Sequence, residues 1–178
     1  RPRRARIMLA EKGIAHETVQ VDLRNKEQMS ESFRAINPHC TVPALHTEEG
    51  LLLTDNAAIA AYLEARFPEP PLLGVTPADK AEIASWHWRV EFEGFLAVGE
   101  ALRNSSPGMV NRALPGPHDY AQIPALAERG LLRTQHFFDM LNQHLANKTY
   151  IAANQFSVAD ITAVVAVDFA RIVKIKPT

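Results

Sequence analysis

Apolar positions along this chain change their spacing several times, and the changes mark out its elements. Residues 3–12, RRARIMLAEK, combine good helix formers with an apolar face at Ile7, Met8 and Leu9. Gly13 follows as a C-terminal stop, so the pattern predicts a helix. Residues 17–23, ETVQVDL, alternate instead, with Val19, Val21 and Leu23 on one face, and predict a strand. A short helix is predicted over 30–36, capped by Ser30 and ended by Asn37-Pro38. Residues 42–46 and 51–54 predict two strands joined by the hairpin-length turn TEEG. From Asp55 to Arg66 the period is helical again, with Ile59, Tyr62 and Leu63 on one side.

The stretch PEPPLLGVTP, residues 68–77, holds four prolines and a glycine and predicts a linker. Beyond it the strand signal disappears. Over 78–103, Ala81, Ala84, Trp88, Phe92, Phe95, Gly99 and Leu102 recur at spacings of three and four, which predicts a long amphipathic helix with that stripe inward. NSSPGMVNRALPGPHD breaks it. A second long helix is predicted over about 124–146, with Leu131, Phe138, Leu141 and Leu145 on one stripe. A third starts at Ser157 and is apolar nearly all round, as the buried centre of a bundle would be. The expected organisation is α/β followed by all-α: a helix-covered mixed sheet over 1–67, a linker over 68–77 and a helical domain over 78–178.

Composition narrows the function without naming it. The chain has 178 residues, 47% hydrophobic and 22% charged, enough for one large or two small globular domains. Net charge is −1, so there is no general electrostatic case for nucleic acid or an anionic membrane as partner. Four of the first six residues are nonetheless arginine. A single cysteine rules out an internal disulfide and fits a reducing, cytoplasmic setting. No apolar run approaches the roughly 18–20 residues that span a bilayer. The seven histidines form neither HExxH nor a cysteine–histidine cluster, so no metal site is expected. Glycine-rich phosphate loops are absent as well.

Two stretches carry specific chemistry. In FSVADI, Ser157 and Asp160 stand at the reciprocal positions of a capping box, and Phe156 and Ile161 at those of a hydrophobic staple. A catalytic Ser/Asp pair is the rival, and capping accounts for the spacing. In HCTVPAL, Pro43 falls inside a strand pattern although proline cannot donate to a ladder. An edge, a bulge or a cis Val42–Pro43 bond would accommodate it, and each leaves the Val42 backbone free to pair with something else. Twelve residues on, Asp55-Asn56 opens a helix, whose N-terminus favours carboxylates. A free strand edge beside a helix N-terminus suits a short peptide with a free carboxylate. Taken singly, the same elements are a tight strand entry and an ordinary cap. Cys40 precedes the proline outside any CxxC motif, lacks an activating context and is expected to be a small packing residue.

Four blocks in this order, RRARIMLAEKGI, VDLRNKEQMSESFRAINPHCTVPAL, LLLTDNAAIAAYLEARFPEPPLLG and YIAANQFSVADITAVVAVDFA, resemble the glutathione S-transferase superfamily, most of all its bacterial cytosolic members. The resemblance implies a thioredoxin-like N-terminal domain with a cis-proline, then a helical bundle, usually as a homodimer. It implies conjugation of glutathione, a co-substrate and not a resident cofactor, to a small hydrophobic electrophile. By position, Pro43 would be the cis-proline and the Val42 backbone would pair with the cysteinyl unit. Asp55 and Asn56 would hold the γ-glutamyl carboxylate and amine, and Thr41 would add a polar contact. Gln28 and His39 are further candidates for the glycyl carboxylate.

The chain departs from the pattern in three ways. Asp55-Asn56 replaces the usual Glu-Ser, and Cys40 stands where glycine is common. The thiol-activating Ser, Tyr or Cys of the family lies between its first strand and first helix. That strand and the catalytic residue are therefore expected just upstream of Arg1, and further helices after VKIKPT. The first helix would turn its N-terminus to the thiolate, with Arg1, Arg3 and Arg4 adding positive potential. Rival expectations are disulfide reduction or isomerisation on the same scaffold, and a non-catalytic interaction module.

Overall fold

The computed structural model describes residues 2–177, which divide into two compact units. One runs to Pro70 and includes Leu114–Asp119; the other comprises Pro71–Ala113 and resumes at Tyr120.

In the first unit, α1 (Arg3–Glu11) buries Ala5, Met8 and Leu9. It ends in a Schellman motif: Gly13 takes φ +64°, Ile14 N–H donates to the Leu9 carbonyl and Gly13 N–H to that of Ala10. A 3₁₀ turn over Glu27–Met29 leads into α2 (Glu31–Ile36), where the Ser30 hydroxyl accepts from Phe33 N–H. Strands β1 (Leu45–His46) and β2 (Leu52–Leu53) pair antiparallel, Leu45 opposite Leu53. Gly50, at φ +83°, closes their turn, a conformation that glycine adopts without steric cost. Helix α3 (Asn56–Arg66) packs on α1 and buries Ile59, Ala60 and Leu63. The Lys12 ammonium, at the end of α1, is wholly out of water. It meets the Phe67 carbonyl at 2.7 Å, the Pro70 carbonyl at 2.8 Å and the Glu64 carboxylate at 2.8 Å.

Residues 17–23 correct the strand predicted there. They join no ladder among the described residues, and Val19 is 85% exposed. Alternation gives a segment two faces, but a strand also needs a partner for its backbone.

In the second unit, α4 (Pro77–Arg89), a π-helical stretch (Val90–Phe95) and α5 (Leu96–Ser105) follow without a break. Helix α6 (Pro124–Leu145) packs on α5, and α7 (Val158–Ala170) packs on α4 and on the π stretch. Nine of the thirteen α7 residues are buried, as its all-round apolar pattern implied. The capping box at its start is formed. Ser157 N–H donates to Asp160 Oδ2 at 2.9 Å, and Ile151 N–H donates to Asp160 Oδ1 at 2.9 Å. A second tie, between His144 Nε2 and the Ile151 carbonyl at 2.7 Å, holds the same loop, and His144 stacks on Trp86.

The inward faces of the two long helices differ from the predicted stripes. Along α4 to α5 the buried positions are Ile83, Val90, Gly94, Ala97, Val98, Ala101 and Asn104. Trp88 is 64% exposed and stacks on the exposed Phe92. On α6, Phe137, Phe138 and Leu141 are buried, with Ala127, Gly130 and Thr134, while Leu131 is exposed. Close approach explains the choice. A Cβ on Gly130 would stand 2.6 Å from Ala101 N and 2.8 Å from the Ala97 carbonyl, and one on Gly94 would meet the Phe137 ring at 2.7 Å. Small residues face inward where backbones nearly touch, and Trp88 and Phe92 are left outside.

Two outcomes follow for this unit. Gly130→Ala forces backbone apart and is expected to destabilise the chain by about 1–3 kcal/mol in denaturant unfolding, since an added methyl overpacks a filled core. The second concerns Glu100, whose carboxylate pairs with Arg129 and Arg133. The hydrogen bond from Arg129 comes first in holding its carboxyl below the ordinary 4.5. A carboxyl lowered on folding adds stability above its unfolded pKa, and that stability is lost as pH falls through the folded value. Unfolding from about pH 7 down to about pH 3 should therefore show a shallower acid limb for Glu100→Gln than for the unaltered chain.

Candidate functional site

The Val42–Pro43 peptide bond is cis, and Pro43 is buried two residues before β1. Leu45 and Leu53 are the last paired residues at the open end of the hairpin, and Pro43 and Asp55 each lie two residues beyond them. Asp55 is the N-cap of α3: its Oδ1 accepts from Ala58 N–H at 2.8 Å. Asn56 is the first helical residue, and its Oδ1 is buried with no hydrogen-bond partner. The Val42 backbone makes no hydrogen bond among the described residues, as the position before Pro43 led us to expect.

The loop before the proline is built around one side chain that the sequence pattern marks only as a helix stop. Asn37 is fully buried. Its Nδ2 donates to the Thr41 carbonyl at 2.8 Å and lies 3.3 Å from Thr41 Oγ1, while its Oδ1 accepts from His39 N–H at 3.0 Å. The signal was an asparagine four residues ahead of a threonine in a loop that ends at proline. Burial, which gives that spacing its meaning, is not written in it.

Thr41, Val42 and Pro43 lead into the open end of the hairpin and Asp55 and Asn56 lead out of it, and His39 belongs to the Asn37 loop with its side chain exposed. Gln28 stands on the separate Glu27–Met29 turn, only 4% exposed, and its Oε1 has no partner. Buried oxygens without donors are rare, and each leaves a hydrogen bond for something else to make. At α1 no side chain caps the N-terminus and no acidic residue sits in its first turn, so no carboxylate of that turn offsets the positive end of the helix dipole. Arg1, which was expected to add charge there, lies outside the described residues. No group of three His, Cys, Asp or Glu side chains that could hold a metal occurs among the described residues.

Cys40 is buried and its backbone sits at φ +54°, in the left-handed region that favours glycine. Its Sγ lies 3.6 Å from the Pro38 carbonyl.

Residues 1–66 match the N-terminal domain of glutathione S-transferases and residues 112–178 the C-terminal domain. Glutathione S-transferase 2 of Saccharomyces cerevisiae is 33% identical over 183 residues, covering 98% of this chain and 74% of that protein. The chain belongs to the glutathione S-transferase superfamily. Two crystal structures share its fold closely. A glutathione S-transferase domain-containing protein of Marinobacter aquaeolei VT8 is 35% identical, with a TM-score of 0.85 over 97% of this chain and 83% of that one. Gtt2 of Saccharomyces cerevisiae is 31% identical, with a TM-score of 0.88 over 99% of this chain and 84% of its own. The first unit is accordingly the thioredoxin-like half of a glutathione S-transferase fold, with a short sheet, and the second its helical half. No helix among the described residues is long and apolar enough to cross a membrane.

The left-handed backbone at Cys40 suits glycine and disfavours a β-branched residue. Cys40→Gly is expected to leave thermal stability close to that of the parent. Cys40→Val, β-branched at positive φ, is expected to cost about 1–3 kcal/mol in unfolding experiments.

Proposed function

We propose that this protein binds glutathione, activates its thiol and conjugates it to a small hydrophobic electrophile. The observation that carries the reading is the unpaired backbone of Val42, beside a cis-proline and at the open end of the hairpin that leads into α3. An extended tripeptide laid antiparallel along Val42 gains sheet-like hydrogen bonds from it. Its γ-glutamyl end then falls to Asp55 and Asn56. The Asp55 carboxylate attracts the ammonium, and the Asn56 amide and the first N–H groups of α3 receive the carboxylate. Thr41 supplies a further polar contact, and Pro43 shapes the loop. Gln28 and His39 are assigned to the glycyl end, where the Gln28 Nε2 would donate to the carboxylate.

A free cysteine thiol has a pKa near 8.5, so only a few per cent is thiolate at neutral pH. A hydroxyl hydrogen bond and the uncapped N-terminus of α1 together lowering it by about two units would be worth about 2.7 kcal/mol. The thiolate attacks an electrophilic carbon; a C–S bond forms and the leaving group departs with the electron pair. The thiol-activating group is not assigned to a residue of this chain. We assign the exposed Trp88, Phe92 and Leu96 face to a homodimer contact in a cytoplasmic protein. A monomeric mass in solution at micromolar concentration would refute that contact.

Calorimetric titration of glutathione into the protein tests the site. Saturable binding is expected, weakened about tenfold or more in Asn56→Ala, the scale of one lost charge-assisted hydrogen bond. Absence of binding at millimolar glutathione would favour the interaction-module alternative and cancel these assignments.

A further inference from the structure

Every polar atom of the Asn37 side chain is committed to the five-residue loop that delivers Val42. Besides the Nδ2 and Oδ1 bonds to Thr41 and His39, its own carbonyl accepts from Cys40 N–H at 3.0 Å and its N–H donates to the Phe33 carbonyl at 2.7 Å. The loop is therefore tied to the end of α2 and closed on itself at Thr41. The peptide bond between Thr41 and Val42 is trans, so its C=O and N–H point in opposite directions. With the Thr41 carbonyl drawn onto Asn37 Nδ2, the Val42 N–H is turned away from the loop interior. That N–H has no partner among the described residues.

We propose that Asn37 is a positioning residue for tripeptide binding: its amide sets the plane of the Thr41–Val42 peptide and so aims the Val42 N–H at the ligand backbone. The proposal rests on the glutathione reading above. It assigns the affinity of the site in part to a side chain that the geometry keeps from touching the ligand, since Asn37 is fully buried and its polar atoms are already used. A purely structural asparagine would have a different signature. Its replacement would lower the unfolding temperature while the molecules still folded bound glutathione as before.

Asn37→Asp separates the two. It keeps the size of the side chain and the acceptor for His39 N–H, but it puts a carboxylate oxygen where the Thr41 carbonyl needs a donor. Two readouts are taken on the full chain at a temperature where circular dichroism shows it folded. One is the glutathione Kd by calorimetry together with KM and kcat toward an aryl halide. The other is the residual dipolar coupling of the Val42 N–H bond in the ligand-free protein. We expect a Kd and a glutathione KM raised about tenfold or more with a much smaller change in kcat, and an altered Val42 coupling. Gly130→Ala, which loosens the helical unit without touching this loop, should change neither. An unchanged Kd in folded Asn37→Asp overturns the proposal. If the parent protein binds no glutathione, the functional reading fails by itself. The coupling still decides the role of Asn37, because an unaltered value means that Asn37 does not orient the peptide. Should Asn37→Asp not fold, Asn37→Ser, which shortens the donor's reach, takes its place in both measurements.

Discussion

The ammonium of Lys12 holds the first unit together. It has three hydrogens and three acceptors: the Glu64 carboxylate on α3 and the carbonyls of Phe67 and Pro70 just beyond it. An ion so fully removed from water is tolerable only when its pairing is complete, because desolvation alone amounts to several kcal/mol. The three bonds fix the C-terminal end of α1 to that of α3, with Met8 and Leu9 on one helix and Ile59 and Leu63 on the other filling the space between. Tied at that end and joined to β2 at the other, α3 has little freedom in where its first turn stands. Asp55 is the cap of that turn and Asn56 its first residue, so an interaction at the far end of the helix governs where these two side chains stand.

Much of the first unit was legible because local chemistry decides it. Gly13 ends α1, Ser30 caps α2, the TEEG turn makes the hairpin and Asp55 caps α3, and each is a backbone rule satisfied within a few residues of itself. Pro43 was legible for the same reason, since a proline in a strand pattern admits few solutions. Residues 17–23 were misjudged because a strand is a relation between two segments and the alternation describes only one of them. Lys12 and Asn37 were missed because their partners, 55 residues away in one case and inside a non-repeating loop in the other, leave no period in the sequence. The Pro-rich stretch after α3 held a second cis bond, Glu69–Pro70, where the sequence showed only a linker.

The helical unit was legible in its lengths and caps, in the burial of α7 and in Phe138 and Leu141 of α6, but not in the facing of the rod from α4 to α5. Large apolar residues are a poor guide to the inside of a helix when the neighbouring backbone comes within contact distance, as α6 does at Gly130 and the Phe137 ring does at Gly94. The seam is then made of glycine and alanine, with the Phe137 ring set against Gly94, while Trp88 and Phe92 belong to the outside. Arg133 marks the change of side. Its guanidinium lies over the Phe92 ring, donates to the Phe92 carbonyl and reaches Glu100.

The π stretch from Val90 to Phe95 divides this long rod in a way that a straight helix cannot. A π turn takes up one residue more than an α turn, so everything after it falls about one residue behind its place in an unbroken α-helix, about 1.5 Å along the axis and about 100° around it. The stretch acts as a phase shifter between two contact surfaces, Trp86 with its partner His144 upstream and the Ala97–Ala101 seam downstream. Each surface can drift in sequence without dragging the other around the helix axis, provided that the extra residue stays between them.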